Sequence, residues 1–100
     1  MNELVVAAAM VRHGFQLYMP VDRSGFVDLL ATRGRRTYRV QVKTAHRHSK
    51  DIWVRTKAPH YPPGSVDVLA AVIDNVVWVI PWKQVRGRQT LRLGSRWRIT

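Results

Sequence analysis

The chain has 100 residues and carries a large excess of positive charge. Seventeen Lys and Arg side chains stand against six Asp and Glu, which gives a formal net charge of +11. This length leaves room for one domain with a modest core, and 46% hydrophobic residues argue against a disordered chain. Thirteen of the basic residues are Arg. Because guanidinium groups bind phosphate bidentately, nucleic acid is the first partner to consider.

Cysteine is absent, and no segment predicts a membrane span. Without Cys, disulfides, thiolate zinc sites and cysteine nucleophiles are excluded. The apolar run at residues 4–11 is far shorter than the roughly 20 residues that cross a bilayer. Asn2 and Glu3 precede this run, where a signal peptide would have basic residues. We therefore expect a cytoplasmic protein, nucleoid-associated or phage-encoded, with no membrane partner.

The first half of the chain predicts one helix followed by strands. Asn2 is a suitable N-cap, Glu3 lies in the first turn, and Gly14 ends an apolar pattern of helical spacing. A loop is predicted at residues 21–25, where turn-forming side chains cluster. The predicted strands lie at residues 15–19, 26–32, 37–44 and 52–56.

The second half predicts a loop, an apolar hairpin and a basic end. Residues 58–65 hold three prolines and a glycine, which is typical of a surface loop. Strands at 66–73 and 76–80 flank Asp74-Asn75 and are apolar on both faces, which favours a central position in the sheet. A short helix is predicted at 81–85, and short strands at 90–93 and 97–99 within a basic tail over 81–100.

These elements predict a single domain over residues 1–100. The order of one helix followed by many strands favours an α/β (α+β) fold, with the N-terminal helix packed on a mixed, mostly antiparallel β-sheet.

Asp28 is the acid whose position is unusual. It falls inside the strand predicted at 26–32, where Asp is disfavoured. If Gly34-Arg35 forms a two-residue hairpin turn, counting outward places Asp28 opposite Gln41. Strand alternation then puts Arg39, Gln41 and Lys43 on the face of Asp28.

A carboxylate, an amide oxygen and an ammonium on one patch suit metal-assisted phosphodiester hydrolysis. Asp28 would be the main ligand of a hard cation, and Gln41 and a backbone carbonyl of the same strand would add oxygen atoms. Lys43 would position water or offset charge on the phosphate. The alternative is that Asp28 forms a cross-strand ion pair with Arg39 or Lys43, and pairing alone leaves both interpretations open.

These residues resemble the PD-(D/E)XK nuclease superfamily. Glu3, the segment GFVDLLA with Asp28, and the segment YRVQVKTA with Gln41 and Lys43 match its motifs in order and spacing. The chain has Phe26-Val27 where the family pattern has a Pro before the Asp. The Gln form of the last motif is similar to the branch that contains a group I intron homing endonuclease. Archaeal Holliday junction resolvases are similar at greater distance.

The resemblance covers residues 3–85, including the apolar hairpin DVLAAVIDNVVWVIPW, and implies a specific activity. It implies a restriction-endonuclease-like core and an endodeoxyribonuclease that uses Mg²⁺, with Mn²⁺ as a substitute, and acts on DNA as a homodimer or higher homo-oligomer. It implies that Asp28 and Gln41 hold the metal, that Lys43 is catalytic and that Glu3 completes the acidic set.

Other basic residues are candidates for binding DNA phosphates. Arg33, Arg35 and Arg36 surround the predicted hairpin tip, and His46 follows Lys43 in an H-x-H motif. Trp53, Arg55 and Lys57 alternate along one strand, where an aromatic ring and cations side by side suit a base and its phosphates. For all of these side chains a solvated surface, or a core position for Trp53, is the alternative. The full set of predicted nucleic-acid contacts is Arg33, Arg35, Arg36, Arg39, His46, Arg55 and Lys57.

Two further functions remain open from the residues alone. Gln41 in the place of an acid is compatible with a catalytically inactive nucleic-acid-binding module of the same fold. A basic RNA-binding β protein, in which Asp28 is only structural, is the third hypothesis.

Overall fold

A computed structural model of the protein describes residues 2–21 and 27–100. In these residues one α-helix and seven β-strands alternate with short 3₁₀ turns. The helix α1 spans Asn2–Arg12. The strands are β1 (Gln16–Tyr18), β2 (Leu29–Arg33), β3 (Arg36–His48), β4 (Asp51–Arg55), β5 (Val68–Ile73), β6 (Val76–Pro81) and β7 (Thr90–Arg92). The fold is α+β, with α1 on a mostly antiparallel sheet, as the sequence predicts.

The long strand β3 organises the sheet because it pairs with three other strands. It pairs antiparallel with β2 along residues 36–40, parallel with β5 along 40–44 and antiparallel with β4 along 45–48. Val40 pairs with both Leu29 and Val68, so β2 and β5 lie on opposite sides of β3. β1 extends the sheet beyond β2, β6 beyond β5 and β7 beyond β4.

The two faces of the sheet bury separate apolar clusters. On one face, Val6, Ala9 and Met10 of α1 pack with Val40 and Val42 of β3. On the other face, the second cluster fills the space under the 3₁₀ turns and β7. Its buried members are Ala45, Val54, Ala58, Leu69, Ala71, Trp78, Ile80, Val85 and Leu91.

Two tight turns have the backbone that their residues favour. Gly34 has φ +63°, as expected for Gly at the first central position of a two-residue hairpin turn. Thr32 pairs with Thr37 and Leu30 with Arg39, so the predicted register of this hairpin is confirmed. Asp74 and Asn75 both have positive φ, at 52° and 63°, which is the type I′ pattern between β5 and β6.

Several predicted boundaries were wrong, and the largest error concerns Asp28. β2 begins at Leu29, so Asp28 precedes the strand rather than lying in its middle. The loop predicted at 21–25 and the start of the strand predicted at 26–32 fall mostly outside the described residues. β3 runs to His48 because it continues into a hairpin with β4. β5 lies between β3 and β6, as predicted for a central strand, whereas β6 is outermost on that side of the described sheet.

The last described residues cover the outer edge of β6. The Ile99 amide donates to the Val77 carbonyl at 2.9 Å, and the Val77 amide donates to Thr100 Oγ1 at 3.1 Å. Arg98 forms a single bridge with Trp78, where a strand was predicted. Within the described part of the chain, no helix is long and apolar enough to span a membrane.

Candidate active site beside the start of β2

The Asp28 carboxylate lies beside β3 just before β2 begins, at the position where a longer β2 would place its main chain. The Asp28 amide donates to the carbonyl of Val40 at 2.9 Å, and Val40 is also the pairing partner of Leu29, where the β2–β3 pairing begins. Beyond it, Asp28 Oδ2 accepts the amide of Val42 at 2.9 Å. A side-chain oxygen thus satisfies a main-chain donor of a buried residue, and this bond fixes the carboxylate beside β3.

Gln41 lies between these two contacts on β3. It is 9% exposed, and no hydrogen bond to its amide side chain is formed by the described residues. Its side-chain atoms nevertheless keep access to solvent, since the described residues include no buried side-chain nitrogen or oxygen without a partner. An amide largely buried but open to water on one side suits a ligand or a bound water.

Lys43 lies two residues further along the same face. Gln41 pairs with Leu69 and Lys43 with Ala71, both of which belong to the second cluster. Lys43 Nζ lies 5.5 Å from the centre of the Tyr61 ring, a cation–π distance. The ring of Tyr61 in turn meets that of Trp82 edge to face at 5.5 Å. The aromatic pair therefore borders the site on the side of the proline-rich loop.

Arg39 is engaged by Asp67 and not by Asp28. Its Nε and a terminal nitrogen bind the two Asp67 oxygens at 3.0 Å each, and its own amide binds Asp67 Oδ2 at 2.8 Å. The Arg39 guanidinium holds the pKa of Asp67 below its ordinary value, and Asp67 raises the pKa of Arg39. The described ion pairs do not join Asp28 to Arg39 or Lys43, so the predicted alternative of a cross-strand ion pair at Asp28 is wrong.

Glu3 enters from the opposite side of the sheet. It lies half-buried in the first turn of α1, and the neighbouring Asn2 donates from Nδ2 to Thr44 Oγ1 at 2.5 Å. This bond fastens the start of the helix to β3 one residue past Lys43. However, α1 packs on the face of Val40 and Val42, whereas Gln41 and Lys43 point to the other face. A ligand role for Glu3 remains a prediction.

The hairpin tip between β2 and β3 presents exposed cations, as its sequence suggests. Arg33, Arg35 and Arg36 are all exposed. Arg33 stacks over the ring of Phe15 at 4.4 Å and donates to the His13 carbonyl at 3.4 Å, so its guanidinium is partly fixed. Phosphate contacts by these three residues, and by Arg39 beside Asp67, remain predictions.

Trp53 and Arg55 share one face of β4, but Lys57 does not continue it. β4 ends at Arg55, and Lys57 has a left-handed backbone with φ 51° before a 3₁₀ turn at Ala58–His60. Lys57, Arg55 and His46 are exposed, and His46 pairs directly with Trp53. Side chains of His46, Trp53 and Arg55 therefore belong to one surface.

Sequence reasoning missed two contributors to the surroundings of the site. The first is Asp67, since nothing in the local sequence marks its bond to Arg39, 28 residues away. Tyr61 sits in a loop that three prolines make stiff, and this aromatic residue among prolines was the available signal.

The donor atoms fit a hard cation that keeps part of its water shell. Among residues 2–21 and 27–100, no three His, Cys, Asp or Glu side chains gather closely enough to hold a metal ion. Asp28 has one oxygen bound to Val42, the described residues form no hydrogen bond to its second oxygen, and Gln41 adds an amide oxygen. The N–H and C=O of one strand residue point the same way, so the Val42 carbonyl also faces Asp28. Mg²⁺ accepts such an oxygen set with few carboxylates.

Comparisons with known proteins place this geometry in a wider context. No family model matches the chain. Protein 5.3 of Escherichia phage T7 is 26% identical over 102 residues, which cover 95% of this chain and 86% of the phage protein. The structure of a bacterial homing endonuclease, I-Ssp6803I, superposes with a TM-score of 0.75 at 15% identity, over 92% of this chain and 69% of that one.

The structural likeness establishes the fold and agrees with part of the predicted resemblance. The chain has the fold of a homing endonuclease, as expected from the branch to which its Gln41-x-Lys43 motif is similar. The more distant resemblance to Holliday junction resolvases has no counterpart among these matches and remains a prediction.

Proposed function

We propose that the protein is a Mg²⁺-dependent endonuclease that hydrolyses phosphodiester bonds in duplex or branched DNA. The observation that carries the proposal is the Asp28 carboxylate held by the amide of Val42, the residue between the largely buried Gln41 and Lys43 on β3. The nuclease fold of the structural neighbour and the net charge of +11 support it.

Each residue of the site has a defined task in this proposal. Asp28, Gln41 and the Val42 carbonyl would hold the cation, with Mn²⁺ as a substitute for Mg²⁺. Glu3, the predicted second carboxylate, would have to reach it from the α1 side of the sheet. When bound, the cation polarises the phosphate and lowers the pKa of a bound water. Lys43 orients the attacking water and stabilises the negative charge on the phosphate as the new P–O bond forms and the ester P–O bond breaks. Tyr61 limits where the Lys43 ammonium can lie.

Exposed basic side chains bind the DNA backbone in this proposal. Arg33, Arg35, Arg36 and Lys57 are exposed at loops and tips, where they can reach phosphates. One chain has one such site, and cutting both strands takes two sites or two events. We therefore include a homodimer or higher homo-oligomer in the proposal.

Cleavage assays with matched variants test the proposal. Labelled duplex, flap and four-way junction DNA are incubated with the protein in Mg²⁺, in Mn²⁺ and in EDTA. We expect cutting with either cation and none in EDTA. Asp28→Ala and Lys43→Ala should each lower the rate by at least about 100-fold, the usual scale for loss of an electrostatic or general acid–base contribution.

Asp74→Asn is the matched control, because Asp74 is an exposed acid at a hairpin tip away from the site. It should cut like the wild type. Equal cutting by all four proteins would contradict the assignment, and the preferred substrate in the panel would decide between junction and duplex.

A catalytically inactive DNA-binding module is the second candidate. It is favoured by the lack of a cluster of three metal-ligating side chains within the described residues, and by the neutral Gln41. This candidate predicts salt-dependent binding that survives Asp28→Ala, with no nicking at any concentration of divalent cation.

A further inference from the structure

The outer part of the sheet leaves one face open to solvent. We call residues 45–48 of β3 together with β4 and β7 the wing. One face of the wing packs into the second cluster through Ala45, Val54 and Leu91. The other, which we call the open face, carries His46, His48, Trp53, Arg55 and Arg92, together with Asp51 and Thr90.

Trp53 lies at the centre of the open face. In the register of the strands it is directly opposite His46 on one side and Arg92 on the other. Directly opposed side chains have Cβ atoms about 4.5–5.5 Å apart, so the indole ring is flanked by an imidazole and a guanidinium. Trp53 is half-buried, whereas His46, Arg55 and Arg92 are exposed.

We propose that the open face binds single-stranded DNA, with an unpaired base stacked on Trp53 and its phosphates held by Arg55 and Arg92. An aromatic ring on a sheet face, bordered by cations, presents a flat surface that any exposed base can cover. Bases in an intact duplex are already stacked and offer no free ring face, so this chemistry selects an unpaired segment.

The charges of the open face complement a phosphate backbone. Its acid, Asp51, contacts Arg92 only at 3.9 Å, and both side chains are largely exposed, so a phosphate competes with it readily. On the same face, Arg55 of β4 is directly opposite Thr90 of β7. The Thr90 hydroxyl therefore lies next to the Arg55 guanidinium. A half-buried tryptophan among these groups is therefore placed to bind rather than only to pack.

This surface is separate from the proposed nuclease site. Trp53 and Arg92 lie on the face opposite the second cluster, whereas Gln41 and Lys43 point to the side of that cluster. The proposal does not depend on cutting, and it adds a substrate class, unpaired DNA, to the duplex or branched DNA of the nuclease proposal.

Binding measured in EDTA tests the surface without any contribution from cleavage. The probes are a labelled oligothymidylate of about 12 nucleotides, a length within the usual span of one such surface, and a blunt duplex of the same length. Trp53→Val removes the ring but keeps a residue that strands favour. We expect it to weaken binding of the oligothymidylate at least about fivefold, the lower end of the effect of losing one stacked base.

Two further variants separate stacking from charge. Trp53→Phe keeps an aromatic face and should bind the oligothymidylate within about twofold of wild type. Arg92→Ala should make the dependence of log affinity on log salt shallower by about 0.7, the loss of one phosphate contact to a single strand. Arg47→Ala is the matched cation control, since Arg47 is bound to Asp74 at 3.0 Å and is not on the open face.

Three results would overturn the proposal. They are wild-type affinity of Trp53→Val for the oligothymidylate, equal losses by Trp53→Val and Trp53→Phe, and equal losses for single strand and duplex. Circular dichroism melts confirm that each variant is folded. Cleavage by the wild type in Mg²⁺ is scored separately, so failure of the nuclease proposal leaves the binding result unaffected.

Discussion

Two parts of one sheet share β3 but are buried differently. The part formed by β1, β2, β5, β6 and the first residues of β3 is covered by α1 on one face, and its central strands meet the second cluster on the other. The wing has the second cluster on one face only, and its open face carries cations. The covered part can hold a carboxylate and an amide in fixed positions. The wing instead offers an exposed surface to which a flexible ligand can bind.

The candidate site lies where the covered part stops being a regular sheet. The main-chain pairing of β2 with β3 reaches no further than Leu29, where β2 begins. At the preceding residue, the side chain of Asp28 rather than the main chain binds the amide of Val42. A regular strand would have occupied the same position with main-chain atoms. The candidate site is therefore an irregular end of β2 that is surrounded by regular, buried strands.

The largest predicted change in stability comes from shortening a side chain of α1 that packs on the sheet. Met10 is 1% exposed in the first cluster, so Met10→Ala should lower the free energy of unfolding by about 2–5 kcal/mol. The neighbouring Val11 is 56% exposed, and Val11→Ala should change it by less than about 0.5 kcal/mol. Urea denaturation of both variants measures the difference. Similar losses for the two would mean that the outer side of α1 is also covered in solution.

The next effect compares Gly34, in the turn between β2 and β3, with Gly94, which follows β7 of the wing. Gly34 has φ +63° and Gly94 has an extended backbone, and an added Cβ would meet no atom within 4 Å at either position. Gly34→Ala should therefore cost about 1–2 kcal/mol from backbone strain alone, whereas Gly94→Ala should be neutral or stabilise by up to about 1 kcal/mol. Thermal denaturation checks both, and a loss at Gly94 as large as at Gly34 would contradict the argument.

The smallest effect concerns two ion pairs, one in each part. Asp67 makes three bonds to Arg39 in the covered part, whereas Asp51 of the wing contacts Arg92 at a single distance of 3.9 Å. Because both pairs are partly exposed and screened by water, Asp67→Asn should cost about 1 kcal/mol and Asp51→Asn close to zero.

The cost of Asp67→Asn should depend on pH in a defined direction. The pKa of Asp67 is lowered on folding from an ordinary value of 3.8. Its contribution is therefore fully present above that value and is lost as the pH falls through the folded-state pKa. Urea denaturation at neutral pH and in acid should show a gap between wild type and variant that closes in acid. A gap that is unchanged in acid would contradict the assignment of the pair.

The local parts of the fold were predictable, and the long-range contacts were not. The Gly34-Arg35 turn is set by its own residues, and counting from it placed Thr32 opposite Thr37 and Leu30 opposite Arg39 correctly. Asp28 lies before the paired residues of β2, and its amide bonds the Val40 carbonyl. The parallel pairing of β3 with β5 and the Arg39–Asp67 bond join residues about 28 positions apart, and no local pattern encodes them. Asp28 was predicted as a strand residue because its neighbours are apolar. In the structure it precedes β2, and its side chain forms a hydrogen bond to β3 where a strand would use its main chain.

The candidate site was found through chemistry more than through secondary structure. Gln41 and Lys43 were assigned to one face by alternation, and their pairing with Leu69 and Ala71 places both beside the second cluster. Strand alternation could not reveal the contact of Tyr61 with Lys43 at 5.5 Å, since a loop has no periodicity, and only the aromatic residue among prolines marked the position.

The segment that ends in Thr100 has a consequence for solubility. Val77 and Trp78 are buried residues of an outer strand, and an uncovered edge of this kind would offer its free amides and carbonyls to any second chain. The bonds from Ile99 and Thr100 close that edge within the same molecule, and His13 bonds the Ile99 carbonyl at 2.6 Å to hold the segment in place. Loss of these bonds would expose the edge of β6 to pairing with a strand of another molecule.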